Sequence, residues 1–223
     1  MEGSHIKAKH AVAALAVCAV AIAPSVSGAA TINGNGRDNI LDGTKYADTI
    51  KARGGKDTVT ARNGNDKVFG GAGSDHVAGA DGNDRVSGGT GDDEVDGGPG
   101  DDVLYGGPGN ESNNGRDITG DAGNDVIYPG DGTDFVYGEE GFNHIIVTDD
   151  GVYDQLFCSF KSDTRRGRLT YIGGRDTKDG IGVNFLGVPT CEVDVVTDRV
   201  GLRALKRSLP DGAWFRSHGR SRL

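Results

Sequence analysis

The chain has 223 residues, 39 of them glycine, with only 35% apolar and 6% aromatic side chains and a net charge of −9. That composition excludes one large hydrophobic core, and the acidity excludes a nucleic-acid partner while favouring cations. Charge is also segregated: residues 31–150 carry 24 Asp and Glu against 9 Lys and Arg, whereas residues 151–223 carry 8 against 13.

Residues 1–29 read as an export signal. Lys7, Lys9 and His10 precede the apolar run "AVAALAVCAVAIA" (11–23), Pro24 breaks it, and "SVSGAA" (25–30) offers small residues for cleavage after Ala29. Thirteen apolar residues fall short of the roughly 20 that a membrane span needs, so no membrane span is expected. Removing the leader leaves Cys158 and Cys191, and two cysteines in an exported protein make one disulfide.

Residues 30–147 repeat themselves. Asp57, Asp66, Asp75, Asp84, Asp93 and Asp102 are each nine residues apart, and two residues after each stands Val59, Val68, Val77, Val86, Val95 or Leu104. The phase resumes at Asp125, Asp134 and Asn143, followed by Ile127, Val136 and Ile145. Asp38 and Asp48, with Ile40 and Ile50, open the array with one extra residue between them, and "NESNNGRDI" (110–118) interrupts it and is expected to break the stacking. Within each nonapeptide, six Gly- and Asp-rich residues suit a tight turn and three suit a short strand. Only the eighth position is consistently aliphatic, so it points inward. Two nonapeptides, 18 residues, then make one coil, and successive coils stack as two parallel sheets around a thin aliphatic core.

One aliphatic side chain per nine residues is too little burial to offset the ordering of nine backbones. The regular aspartates name what else holds the turns. Stacking brings Asp75 over Asp57 and Asp84 over Asp66, and carboxylates stacked this way repel. Several Ca2+ ions between coils would remove the repulsion, taking Asp57, Asp66, Asp75, Asp84, Asp93, Asp102, Asp125 and Asp134 as ligands. The remaining oxygens come from turn carbonyls near Gly71, Gly73, Gly82, Gly89, Gly91, Gly98 and Gly100. Magnesium, with its strict octahedron and retained waters, suits such a groove less well.

The phrases "GGAGSDHVA" (70–78), "GGTGDDEVD" (88–96) and "GGPGDDVLY" (97–105) resemble the RTX, or haemolysin-type calcium-binding, repeat G-G-x-G-x-D-x-U-x. The resemblance covers residues 33–146 and implies an all-β, right-handed parallel β-roll with calcium between its turns, folding when calcium is supplied. Some repeats depart from it. "ARGGKDTVT" (52–60) and "ARNGNDKVF" (61–69) lack the leading glycine pair, and Asn143 replaces an aspartate. Sites are therefore expected to be best formed from Asp66 to Asp102.

Asp92 and Asp101 add acids at the fifth position, where they are expected to face solvent; His76 and His144 have no clustered partner that would make a zinc site. Residues 148–199 contain strand-like runs "DQLFCSF", "RLTYI", "GIGVNFL" and "CEVDVVTD", read as a small β cap linked by Cys158 and Cys191. They also resemble, more loosely, the ends of secreted actinobacterial calcium-repeat proteins. Residues 200–223 form a basic segment with Trp214 and Phe215, either a flexible tail or a contact for cell-wall or other surface polymer. No nucleophile motif, metal-ligand cluster or catalytic carboxylate pair stands out. The expectation is a secreted, extracellular, non-catalytic calcium-binding protein; the alternatives are a surface adhesin module or the folding and secretion module of an enzyme.

Overall fold

A computed structural model describes residues 28–111, 118–148, 150, 152, 154–159, 167–172, 180–181 and 191–196. The leader's apolar run and the basic segment 200–223 lie outside the described residues. Among those described, no helix is long and apolar enough to cross a membrane.

Every strand pairs in parallel with the strand one coil away, producing two sheets. The first contains β1 (Thr31–Asn33), β3 (Thr49–Gly54), β5 (Lys67–Ala72), β7 (Arg85–Thr90), β9 (Val103–Pro108), β11 (Val126–Asp131), β13 (His144–Thr148), β15 (Gly167–Ile172) and β17 (Cys191–Val196). The second contains β2 (Ile40–Asp42), β4 (Thr58–Thr60), β6 (His76–Ala78), β8 (Glu94–Asp96), β10 (Ile118–Thr119), β12 (Phe135–Tyr137), β14 (Gln155–Phe157) and β16 (Gly180–Ile181). Odd strands face even strands across a file of aliphatic side chains. Val59, Val68, Val77, Val86, Val95 and Leu104 are at most 1% exposed, as are Ile127, Val136 and Ile145. This is the parallel β-roll that the nine-residue period predicts.

The strands are not all three residues long. In the first sheet pairing runs on past the glycine that opens the next repeat, so Gly71, the fifth residue of β5, pairs with Gly89 and Ala72 with Thr90. In the second sheet pairing lapses after three residues and returns only as single bridges, Asn63 with Asp81 and Ala122 with Glu140.

Three expectations about register need correction. First, the opening coil is led by Asn39 and Leu41, nine residues before Asp48 and Ile50, with no extra residue. Leu41 pairs with Val59 and is 1% exposed, while Ile40 is 58% exposed. The Asp38 phase misled because an asparagine holds the sixth position. Second, the interruption does not break the stacking. Ile118 pairs with Val95 on one side and Val136 on the other, so the register across it is 23 residues instead of 18 and the chain re-enters in step. Third, the C-terminal segment closes the roll by extending it. β13 pairs with β15, β15 with β17, β12 with β14 and β14 with β16, so each of the four expected runs contributes a strand to the same two sheets. Cys158 and Cys191 form the expected disulfide between these last coils, with Cα atoms 5.2 Å apart.

The fourth residue of each repeat has the tightest backbone requirement. Gly91 has φ of 119°, and a Cβ there would strike the carbonyl of Gly73 one coil below. Gly36, by contrast, opens on free space. Gly91→Ala should therefore cost at least about 1–2 kcal/mol, lowering the thermal midpoint at saturating calcium by several degrees. Gly36→Ala should leave it unchanged in the same melting experiment.

Candidate metal centre

The sixth residue of each repeat ends a turn immediately before a strand, so its side chain points along the edge of the roll, toward neighbouring coils. Two rows result, one on each edge. The first runs Asp48, Asp66, Asp84, Asp102, Asp125 and Asn143; the second runs Asn39, Asp57, Asp75, Asp93, Glu111, Asp134 and Asp154. All eight aspartates expected as ligands lie in these rows and are at most 4% exposed.

In every rung one carboxylate oxygen is satisfied by backbone. The N–H of Asp66 donates to Asp84 Oδ1 at 2.7 Å, and that of Asp84 donates to Asp102 Oδ1 at 2.6 Å. The same bond joins Asp57 to Asp75 at 2.8 Å and Asp75 to Asp93 at 2.9 Å. The other oxygen has no partner: Oδ2 of Asp57, Asp66, Asp75, Asp84, Asp93, Asp102, Asp125 and Asp134 is buried and accepts no hydrogen bond. Asp48, at the start of the first row, differs because its Oδ2 accepts the N–H of Thr44 at 2.6 Å.

What faces these oxygens is another acceptor. Asp84 Oδ2 and the carbonyl of Gly97, one coil on, converge over the Cα of Gly79. Asp75 Oδ2 and the Gly88 carbonyl do the same over Gly70, as do Asp102 Oδ2 and the Gly120 carbonyl over Gly97. The leading glycine of the repeat thus holds open a space that a Cβ would fill, rimmed by oxygen. The carbonyls of Gly71, Gly73, Gly82, Gly89, Gly91 and Gly100 form files facing the Cα of the next coil's glycine, and Gly98 faces the Ala80 carbonyl.

The row supplies its own control. At Asn143 the sixth residue is an amide, and its Nδ2 donates to the Cys158 carbonyl at 3.0 Å. Where the side chain carries a donor, the facing carbonyl is satisfied directly. Where it carries a carboxylate, two acceptors face each other and neither can donate.

Burial makes these carboxyls hard to ionise. It pushes Asp66 up to about 6, Asp84 and Asp93 to about 7 and Asp102 to about 8; the acid of an adjoining coil adds to the effect, and the backbone N–H only partly opposes it. Asp125 is raised to about 7, again chiefly by burial, and Asp57, Asp75 and Asp134 are raised for the same first reason. A cation against the unpartnered oxygens answers both problems at once. Among the described residues no three Asp, Glu, His or Cys side chains converge on one point. A metal here would take carboxylate and carbonyl oxygen in mixture, which suits calcium and not zinc.

Sequence reasoning missed Glu111 and Asp154. Glu111 stands nine residues after Asp102 and was legible by count, but it sits inside the interruption; Asp154 is 20 residues from Asp134 and out of phase. The fifth position faces outward and carries hydrogen bonds of its own. Asp101 is exposed, yet its Oδ1 accepts the N–H of Asn124 at 2.8 Å, and Asp92 Oδ1 accepts that of Asn110 at 2.9 Å. These residues form a second ladder running the opposite way. His76 and His144 alternate with buried Val77 and Ile145, so they stand on the outer faces, His76 against Glu94 at 2.9 Å and His144 against Thr170 Oγ1 at 2.8 Å.

The family described as RTX calcium-binding nonapeptide repeat (4 copies) matches residues 33–68, 42–77, 53–86, 78–110 and 114–145. No curated protein and no solved structure matches the chain. With the period, the roll, the two buried aspartate rows and the matched span in agreement, the chain belongs to the RTX family of calcium-binding nonapeptide-repeat proteins.

Proposed function

We propose that this is a secreted, non-catalytic calcium-binding protein whose roll is completed by Ca2+ ions lodged between successive coils outside the cell. The observation that carries the reading is the unpartnered, buried Oδ2 that recurs from Asp57 to Asp134. Calcium accepts six to eight oxygens in loose geometry, so it can take Oδ2 of one coil with a carbonyl such as that of Gly88, Gly97 or Gly120. Asp66, Asp84 and Asp102 on one edge, and Asp57, Asp75 and Asp93 on the other, stack in an unbroken 18-residue register and form the best sites. Export is supported by the leader-like residues 1–29 and by the disulfide, which persists in oxidising surroundings. On this reading residues 30–196 act as one roll, and any ion bound only by the folded roll stabilises it by mass action.

Asp84 has an acid one coil away on each side, Asp66 and Asp102. Asp84→Ala should raise the calcium concentration at the folding midpoint several-fold, read by circular dichroism during a calcium titration of the leader-free protein. Asp92→Ala removes equal charge at the fifth position, outside the two rows, where the carboxylate accepts the N–H of Asn110, so its shift should be clearly smaller. Equal shifts would mean that net charge, not phased ligation, drives binding.

The pH dependence follows from the same carboxyls. Their folded values of about 6 to 8 lie above the usual 3.8, so the metal-free roll holds protons that the unfolded chain releases. That contribution is whole below pH 3.8 and is lost as pH rises through about 6 to 8. Chemical denaturation in chelator should show stability falling across that interval. Protons compete with the ion, so the calcium midpoint should fall over the same rise in pH.

A further inference from the structure

We propose that Glu111 is a metal ligand, and that a calcium ion held between it and Asp134 couples the two blocks of the roll, residues 30–110 and 118–196, across the interruption. The inference rests on the calcium reading above but concerns a site that no repeat assigns: the matched repeats stop at residue 110 and resume at 114.

Glu111 is 1% exposed, and its Oε2 is buried without a hydrogen-bond partner, as is Oδ2 of Asp134. It sits in the ligand row by backbone register: the N–H of Asp93 points to Glu111 Oε1 and the N–H of Glu111 donates to Asp134 Oδ1. The surrounding space repeats the regular rungs. The Cα of Gly106 faces both Glu111 Oε2 and the carbonyl of Pro129, just as that of Gly79 faces Asp84 Oδ2 and the carbonyl of Gly97. The interruption therefore conserves all three parts of a site: the leading glycine, the unpartnered carboxylate oxygen and the next coil's carbonyl.

One feature sets this site apart. The rung bonds lengthen to 3.5 and 3.3 Å on the two sides of Glu111, against 2.6 to 2.9 Å among the aspartates, so its carboxylate is held less tightly by backbone. The next carboxylate of the row, that of Asp134, is buried one rung away with its Oδ2 also unpartnered. Two such carboxylates repel unless a proton or a cation lies between them. A glutamate, one methylene longer and able to bind calcium through both oxygens, spans a seam where the chain inserts extra residues immediately after the ligand position. On the other edge the corresponding rung across the seam joins Asp102 to Asp125.

Glu111→Gln in the full leader-free chain keeps size and acceptor while removing charge; Asp84→Asn serves as the benchmark for the regular rungs. Bound ions are counted by isothermal titration calorimetry, and folding is followed by circular dichroism over a calcium titration. Glu111→Gln should bind at least one ion fewer and split a single calcium-induced transition into two. Unchanged ion count and a single transition, with Asp84→Asn shifted, would overturn the role of Glu111 and leave the calcium roll intact. Indifference of both variants would overturn both. If Glu111→Gln does not fold at saturating calcium, Glu111→Asp decides: recovered folding supports ligation, and equal failure assigns Glu111 to packing and overturns the proposal.

Discussion

Two oxygen acceptors facing each other at the aspartate rungs, Oδ2 of one coil and a carbonyl of the next, are the constraint on which this roll depends. The aspartate at the sixth position must be buried, because its Oδ1 accepts the N–H that opens the strand one coil back. Burial then leaves Oδ2 against a carbonyl, an arrangement that backbone hydrogen bonding does not resolve. The composition follows from that conflict. Glycine leads the repeat because a Cβ would occupy the space between the oxygens, and the core stays thin because the edges, not the interior, carry the decisive interaction.

The C-terminal end shows how the same edge is closed without acid. Along the first row Asp125 gives way to Asn143, whose amide satisfies the Cys158 carbonyl; next comes Gly167, and then Cys191, which pairs with Gly167 in register. Cys158 takes the leading-glycine position of its repeat, and its bond to Cys191 links one coil to the next on the edge where an ion would otherwise do so. The roll thus passes from ionic to hydrogen-bonded to covalent links between coils. The covalent link is indifferent to calcium and sensitive to reductant, whereas the aspartate rungs respond to calcium and pH.

The outer faces carry little that is needed for this account, but they show where sheet pairing adds its own contacts. Tyr105 and Tyr128 stack at 4.9 Å, Arg85 donates to the Tyr105 hydroxyl at 2.8 Å, and Tyr137 stacks on Phe157 at 5.1 Å. These ladders are what a parallel register produces whenever like residues recur one coil apart.

Much of the molecule was legible in one dimension because its chemistry is local and repeated. A nine-residue period of Gly, Asp and one aliphatic residue determined the turns, the inward side chains from Val59 to Leu104, the stacked aspartates and the preference for calcium, and a pair of cysteines determined the disulfide. What the period could not determine was anything that changes spacing along the chain without changing spacing in space. Only strand pairing decided that Leu41 and not Ile40 enters the core, that Ile118 resumes the register after five extra residues, and that β14 to β17 continue the same two sheets. Only the folded edge showed that Glu111 joins the row of buried carboxylates, and that the row aspartates from Asp57 to Asp134 each have one oxygen satisfied by backbone and one without a hydrogen-bond partner. Backbone hydrogen bonds between coils enforce a fixed rise from one rung to the next, and an insertion is absorbed wherever that rise can be kept.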